Sequence, residues 1–306
     1  MKNLVDIENL SKEKRLLYFN RLREKCRNRR ISSSPSFVVK MLGGVAKIIR
    51  KYELEIINTE NIPDGEVIYL CNHSNAHDYF TVLEVFCRLN KKVTPIGGLE
   101  GLSWFSRLFL KLTDVVLFKR DSRGSIDKGI KIFCGKILNG KNGLIFGEGT
   151  WNIHPNKVMQ NLHAGVTEIS LITEKPVVPV IFEYIETNQI CKKESNIYKK
   201  CIVSFGKPLW MTAEKSIFKQ TDILQEIMVS MRKEIWKLEG VDKKKLSKEK
   251  IRIYLNHTYL KKFKALGFKY DSEKEFDFLL KKGKKIENEY CLDADNNFVP
   301  GITDES

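Results

Sequence analysis

A chain of 306 residues, 42% hydrophobic and 30% charged, can bury one large core and an appendage, and its composition excludes a disordered or fibrous protein. The seven cysteines are scattered, odd in number and never spaced Cys-x-x-Cys, which argues against a disulfide framework and against a structural zinc site. A formal net charge of +15 draws nucleic acid, anionic lipid or acidic ligands, or serves solubility alone.

The charge is concentrated at the start, with 14 lysines and arginines against 4 acidic residues in positions 1–51. Residues 1–52 are therefore read as a basic helical segment and a candidate membrane-surface anchor. The opening "MKNLVDIENLSKEKR" lacks the charged-then-apolar order of a signal peptide. No apolar run reaches the roughly 18 to 20 residues that span a bilayer. The expectation is a cytoplasmic protein, peripheral on the inner face of the membrane. Ser34 as N-cap and Pro35 at the first helical position open a helix. Phe37, Val38, Met41, Leu42, Val45, Ile48 and Ile49 then recur at helical spacing, with Lys40, Lys47, Arg50 and Lys51 on other faces. Such a stripe suits a helix in an anionic interface. A helix packed on the core fits the same stripe.

From residue 53 strand and helix alternate. Strands are predicted over 52–62, 65–72, 91–98, 114–120, 142–150, 176–185 and 199–208, and helices over 79–89, 125–138, 164–174 and 222–238. Apolar strands alternating with helices imply an α/β fold: a mixed, mainly parallel sheet flanked by helices on both faces. The segment 102–112, "LSWFSRLFLKL", mixes aromatics, leucines and two cations, and suits either membrane contact or plain helix packing. After Gly240 a charge run leads into interleaved aromatics and lysines. Residues 53–240 are read as the main domain, and 241–306 as a small, basic, helical C-terminal appendage with a tail.

The chemistry gathers after the strand "EVIYLC". Asn72 and His73 follow at its carboxyl end, where sites on α/β sheets collect, and a helix begins near Asp78. On a continuous helix residues 73 and 78 would point about 140° apart. In a strand-to-helix turn, Asp78 reaches back to the His73 ring. That pairs a base with a carboxylate that orients it. His77, adjacent to Asp78, points elsewhere.

These residues carry a resemblance. "NHSNAHD" resembles the Asn-His-x4-Asp motif of the glycerolipid acyltransferases, the lysophosphatidate acyltransferase family. "VVLFKRDS" resembles the family's second block at Arg120, with Lys119 beside it; "IFGEGTWN" resembles the third, Phe-Pro-Glu-Gly-Thr, at Phe146, Glu148, Gly149 and Thr150. "KPVVPVIFE" and "VSFGKPL" are similar to the blocks that close the domain. The match in order and spacing runs from about 53 to 240.

The resemblance implies direct acyl transfer from a thioester donor, acyl carrier protein or coenzyme A, to a hydroxyl, with no acyl-enzyme and no resident cofactor or metal. His73 and Asp78 are the catalytic pair. Asn72, Lys119, Arg120, Glu148, Gly149, Thr150, Trp151 and His163 are the candidate substrate-binding residues. Arg120 and Lys119 suit an anionic group, and Glu148 an acceptor hydroxyl. Where the family carries a cation for the acceptor's phosphate, this chain has Trp151 followed by Asn152. A flat indole face suits a sugar ring or alkyl chain better than a phosphate, and Asn152 suits hydroxyls. The acceptor is accordingly a lysophospholipid of the 1-acylglycerol-3-phosphate kind or, as the alternative, a glycan or glycolipid hydroxyl. Two readings from other classes stand beside this one. His77–Asp78 resembles the pair of metal-dependent HD phosphohydrolases, and the charge alone fits a non-catalytic lipid- or nucleic-acid-binding protein. Nucleic acid is not the expected partner; an anionic membrane surface is.

Overall fold

In the computed structural model the described residues are 3–27, 43–44, 47, 52–74, 78–99, 110, 113–152, 154–186, 198–241, 243, 247, 249–251, 290–292 and 298–300. The fold is built outward from "IYLC". These four residues form strand β2 (Ile68–Cys71), and all four are buried. Ile68 and Leu70 face one apolar cluster, Tyr69 and Cys71 the other. Alternation across a strand with both sides apolar is what a central strand of a covered sheet requires.

The other strands are β1 (Glu53–Ile57), β3 (Val93–Gly98), β4 (Val116–Phe118), β5 (Asn142–Phe146), β6 (Val177–Glu186) and β7 (Tyr198–Phe205). They form a seven-stranded sheet in the order β1-β7-β6-β2-β5-β3-β4. From β6 to β4 every neighbour is parallel, β6 and β7 are antiparallel, and β1 lies parallel to β7. The sheet is mixed and mainly parallel, as the alternation of elements implied.

Helix α3 (Asp78–Arg88) covers one face through Val82, Val85 and Phe86, the last ring 4.6 Å from Tyr69. The opposite face is covered by α4 (Arg123–Leu138), α5 (Gly165–Thr173) and α6 (Ile217–Leu238), which supply Phe133, Ile137, Ile169, Ile172, Leu224, Met228 and Trp236. Side chains buried to this degree contribute roughly 1.5–3 kcal/mol each relative to exposure. Ser122 and Ser216 cap α4 and α6 by accepting from the amides of Ser125 and Lys219.

Two short N-terminal helices, α1 (Leu4–Glu8) and α2 (Lys12–Arg27), join this second face. Ile7, Phe19, Leu22 and Cys26 are part of its core. Arg15 donates to the carbonyls of Glu8 (2.7 Å) and Lys215 (2.9 Å). Arg23 donates to the last carbonyls of α5, at Ile172 (2.7 Å) and Leu171 (3.1 Å). Part of the N-terminal positive charge is therefore structural, closing a helix end and fixing α2 to the domain.

Two local differences from the sequence reading have physical reasons. The strand predicted over 52–62 stops at Ile57 because Asn58 takes a left-handed φ of 59°, and a short 3-10 turn (Thr59–Asn61) follows. Most of 34–51 and of 102–112 lies outside the described residues, although 43, 44 and 47 are helical as expected. The appendage is not purely helical: beside helical residues 249–251 it holds an antiparallel pair, β8 (Tyr290–Leu292) with β9 (Phe298–Pro300). The cue was an Asp- and Asn-rich stretch between "YCL" and "FVP".

Candidate active site

The parallel pairing of β2 with β5 sets Cys71 opposite Phe146, so the loops that follow them leave the sheet side by side at its carboxyl edge. Asn72 is wholly buried, and its carboxamide clasps β6: it donates to the Phe182 carbonyl at 3.1 Å and accepts from the Phe182 amide at 2.7 Å. This geometry makes Asn72 a fastener between strands, in place of the substrate contact expected of it.

His73 Nδ1 lies 2.8 Å from Asp78 Oδ2, and the same oxygen accepts from the Ser74 amide at 2.9 Å. Asp78 stands in the first turn of α3, where the helix N-terminus favours an anion. The aspartate side chain is 0% exposed and the histidine 19%. The carboxylate selects the tautomer with hydrogen on Nδ1 and leaves the Nε2 lone pair to take a proton. The imidazole stacks on Phe146, centroids 4.2 Å apart and planes 23° apart, and Trp151 approaches to 5.2 Å at 45°. His77 lies outside the described residues.

Glu148 is buried, so the acceptor-hydroxyl role expected of it does not fit its surroundings. Its Oε1 accepts from the His73 amide at 2.7 Å, and its Oε2 accepts from the Gln160 amide. Burial pushes its carboxyl up to about 8, against the pull of those two amides and of the Arg232 charge. Asn152 is corrected in the same way. Its side chain donates to the Lys157 carbonyl at 3.0 Å and accepts from Gln160 at 3.4 Å, while its amide meets the His73 carbonyl at 2.5 Å.

The remaining candidates line the rim. Gly149 has φ +67°, and a Cβ there would fall 2.8 Å from the ring of His163, which is exposed. The Arg120 guanidinium donates to the Gly149 carbonyl, which brings the end of β4 to this loop. Lys119 beside it is exposed, and Thr150 and Trp151 are half-buried. Gly147, where the family carries proline, donates its amide to Cys71 at 3.0 Å. A Cβ there would meet Leu70 at 2.5 Å and Leu162 at 2.6 Å.

Behind the loop, Arg232 of α6 pairs with Glu183 at 2.5 Å and donates to the Val158 carbonyl, and Trp236 donates to Glu183 at 2.6 Å. Phe146, Gln160, Phe182 and Arg232 had no assigned role in the sequence reading. Phe146 stood within a quoted motif, but a motif letter does not tell which ring lies beneath it. Among the described residues no group of three or more His, Cys, Asp or Glu side chains forms a metal cage.

Comparison with known proteins follows the same lines. Residues 53–183 match the family model described as Acyltransferase. Among solved structures the chain is similar to the 1-acyl-sn-glycerophosphate (LPA) acyltransferase PlsC of Thermotoga maritima, at 18% identity and a TM-score of 0.48, over 76% of this chain and 86% of that one. No curated protein matches it. Over residues 53–183 the chain is therefore similar to the acyltransferases, and the loops after β2 and β5 that carry the resembling motifs lie side by side at one edge of the sheet.

Proposed function

We propose that this enzyme moves a fatty acyl group from a thioester of acyl carrier protein or coenzyme A to a hydroxyl of a lysophospholipid resembling 1-acylglycerol-3-phosphate, with His73 as general base. One observation carries the reading: a partly exposed imidazole held by Nδ1 at 2.8 Å from a fully buried aspartate, at the carboxyl edge of the sheet. His73 Nε2 takes the proton of the acceptor hydroxyl while its oxygen attacks the thioester carbonyl carbon. Collapse of the tetrahedral oxyanion breaks the carbon–sulfur bond, and the thiolate takes the proton back from the imidazolium. Proton transfer of this kind contributes about 10²–10⁴-fold, and Asp78 stabilises the imidazolium formed. Arg120 and Lys119, at the end of β4, suit an anionic group of donor or acceptor.

A second reading has its own support in Trp151, whose ring lies 5.2 Å from that of the base at the position of the family's cation. An apolar face there favours a neutral acceptor such as a glycan or glycolipid hydroxyl. The test is an acyl-transfer assay of the purified chain with acyl thioesters and a panel of lysophosphatidate, other lysophospholipids and glycolipids. The first reading expects the highest kcat/KM with lysophosphatidate; preference for a neutral acceptor moves the assignment to the second. Transfer to none of them overturns both.

A further inference from the structure

His73 is held through its main chain as well as its ring. β2 ends at Cys71, so the amide of His73 falls beyond the strand ladder, in a place where an unmatched donor is costly. Glu148 Oε1 accepts that amide at 2.7 Å, and the His73 carbonyl accepts from the Asn152 amide at 2.5 Å. The peptide groups of residue 73 are thus gripped on both sides by the loop after β5. The second Glu148 oxygen accepts the Gln160 amide, from the far end of the same excursion. At 2% exposure the carboxylate has no open side toward a substrate.

We propose that Glu148 is a positioning residue: its carboxylate staples the His73 backbone to the loop after β5, so that the imidazole lies flat on Phe146 with Nδ1 facing Asp78. It does not receive the acceptor's hydroxyl. This rests on His73 being the base. In its ionised form, present above the value of about 8 to which burial raises it, Glu148 is suited to the task because both of its oxygens accept, and two amides converge on it from different chain segments. Glutamine would serve one amide and set an N–H against the other.

Glu148→Gln is the test, in the full chain with steady-state kinetics in both substrates at a pH above 8, where the wild-type carboxylate is ionised. A base released from its register loses turnover, so kcat should fall by about 10²-fold with both KM values unchanged. The His73 ring signals, followed by NMR, should shift as the contact with Asp78 loosens. A variant that keeps kcat and raises only the acceptor KM would overturn the proposal and make Glu148 an acceptor ligand. Should the variant not fold, hydrogen exchange in the wild type decides: the amides of His73 and Gln160 should be protected as strongly as those of β5, and exchange at loop rates overturns the staple. Full activity in His73→Ala would remove the base assignment instead, and would leave that protection in place.

Discussion

Three side chains set the chemistry of the His73 ring: the Asp78 carboxylate at its edge, and the rings of Phe146 and Trp151 against it. The two rings fix the plane of the imidazole, and the carboxylate fixes which nitrogen faces it. Trp151 also stands at the rim, where it meets the acceptor in our account. Trp151→Arg should raise kcat/KM for lysophosphatidate relative to neutral acceptors by roughly 10- to 100-fold, the size of one charge-assisted hydrogen bond of about 1.5–3 kcal/mol. An unchanged acceptor ratio, read in the same assay, would show that position 151 does not contact the acceptor. At this scale the pairing of His73 with Asp78 was legible, because a strand end followed five residues later by a helix start leaves room for the turn. The duties of Asn72, Glu148 and Asn152 were not. Polar residues at a strand end serve a ligand or the orphaned backbone equally well, and only the fold reveals which amides lack partners. Here those amides belong to Phe182, His73 and Gln160.

Hydrophobic periodicity located the elements of the sheet domain but not their directions. "PVVPVIFEYI" and "KKCIVSFGKP" read alike as apolar strands, yet β6 runs with the parallel set and β7 against it. Direction depends on which neighbour each strand finds, and that is a long-range choice. Short elements were the least legible. β8 and β9 have three residues each, too few for a period of two to show, and β1 was over-extended because a lone asparagine in the left-handed region carries no hydrophobic signal. The N-terminal segment divides in the same manner. Its cations suggested a surface anchor, whereas Arg15 and Arg23 turn inward to backbone carbonyls and fix α2 on the domain.

Among the described residues, exposed apolar side chains and a run of cations meet on the N-terminal helices, while the most exposed apolar residues, Trp210 and Leu238, lie elsewhere. Leu16 and Leu17 are 51% and 49% exposed, Val5 of α1 is exposed as well, and Lys12, Lys14, Arg21 and Lys25 stand around them. We propose that this face, with the basic stretch that follows it, rests on the anionic inner surface of the membrane from the cytoplasmic side, at about 1 kcal/mol per nearby Lys or Arg. Co-sedimentation with vesicles should depend on anionic lipid, fall as salt rises, and weaken when Leu16 and Leu17 become serine. Equal binding to neutral and anionic vesicles at low salt would contradict it. The central claim, that His73 and Asp78 act as base and orienter in acyl transfer, is tested most directly by kcat/KM for acyl transfer in His73→Ala and Asp78→Asn, with folding checked by circular dichroism and His77→Ala alongside. The account predicts a loss of about 10²–10⁴-fold or more for His73→Ala, a loss close to it for Asp78→Asn, and substantial activity in His77→Ala. An essential His77 beside a dispensable His73 would contradict it.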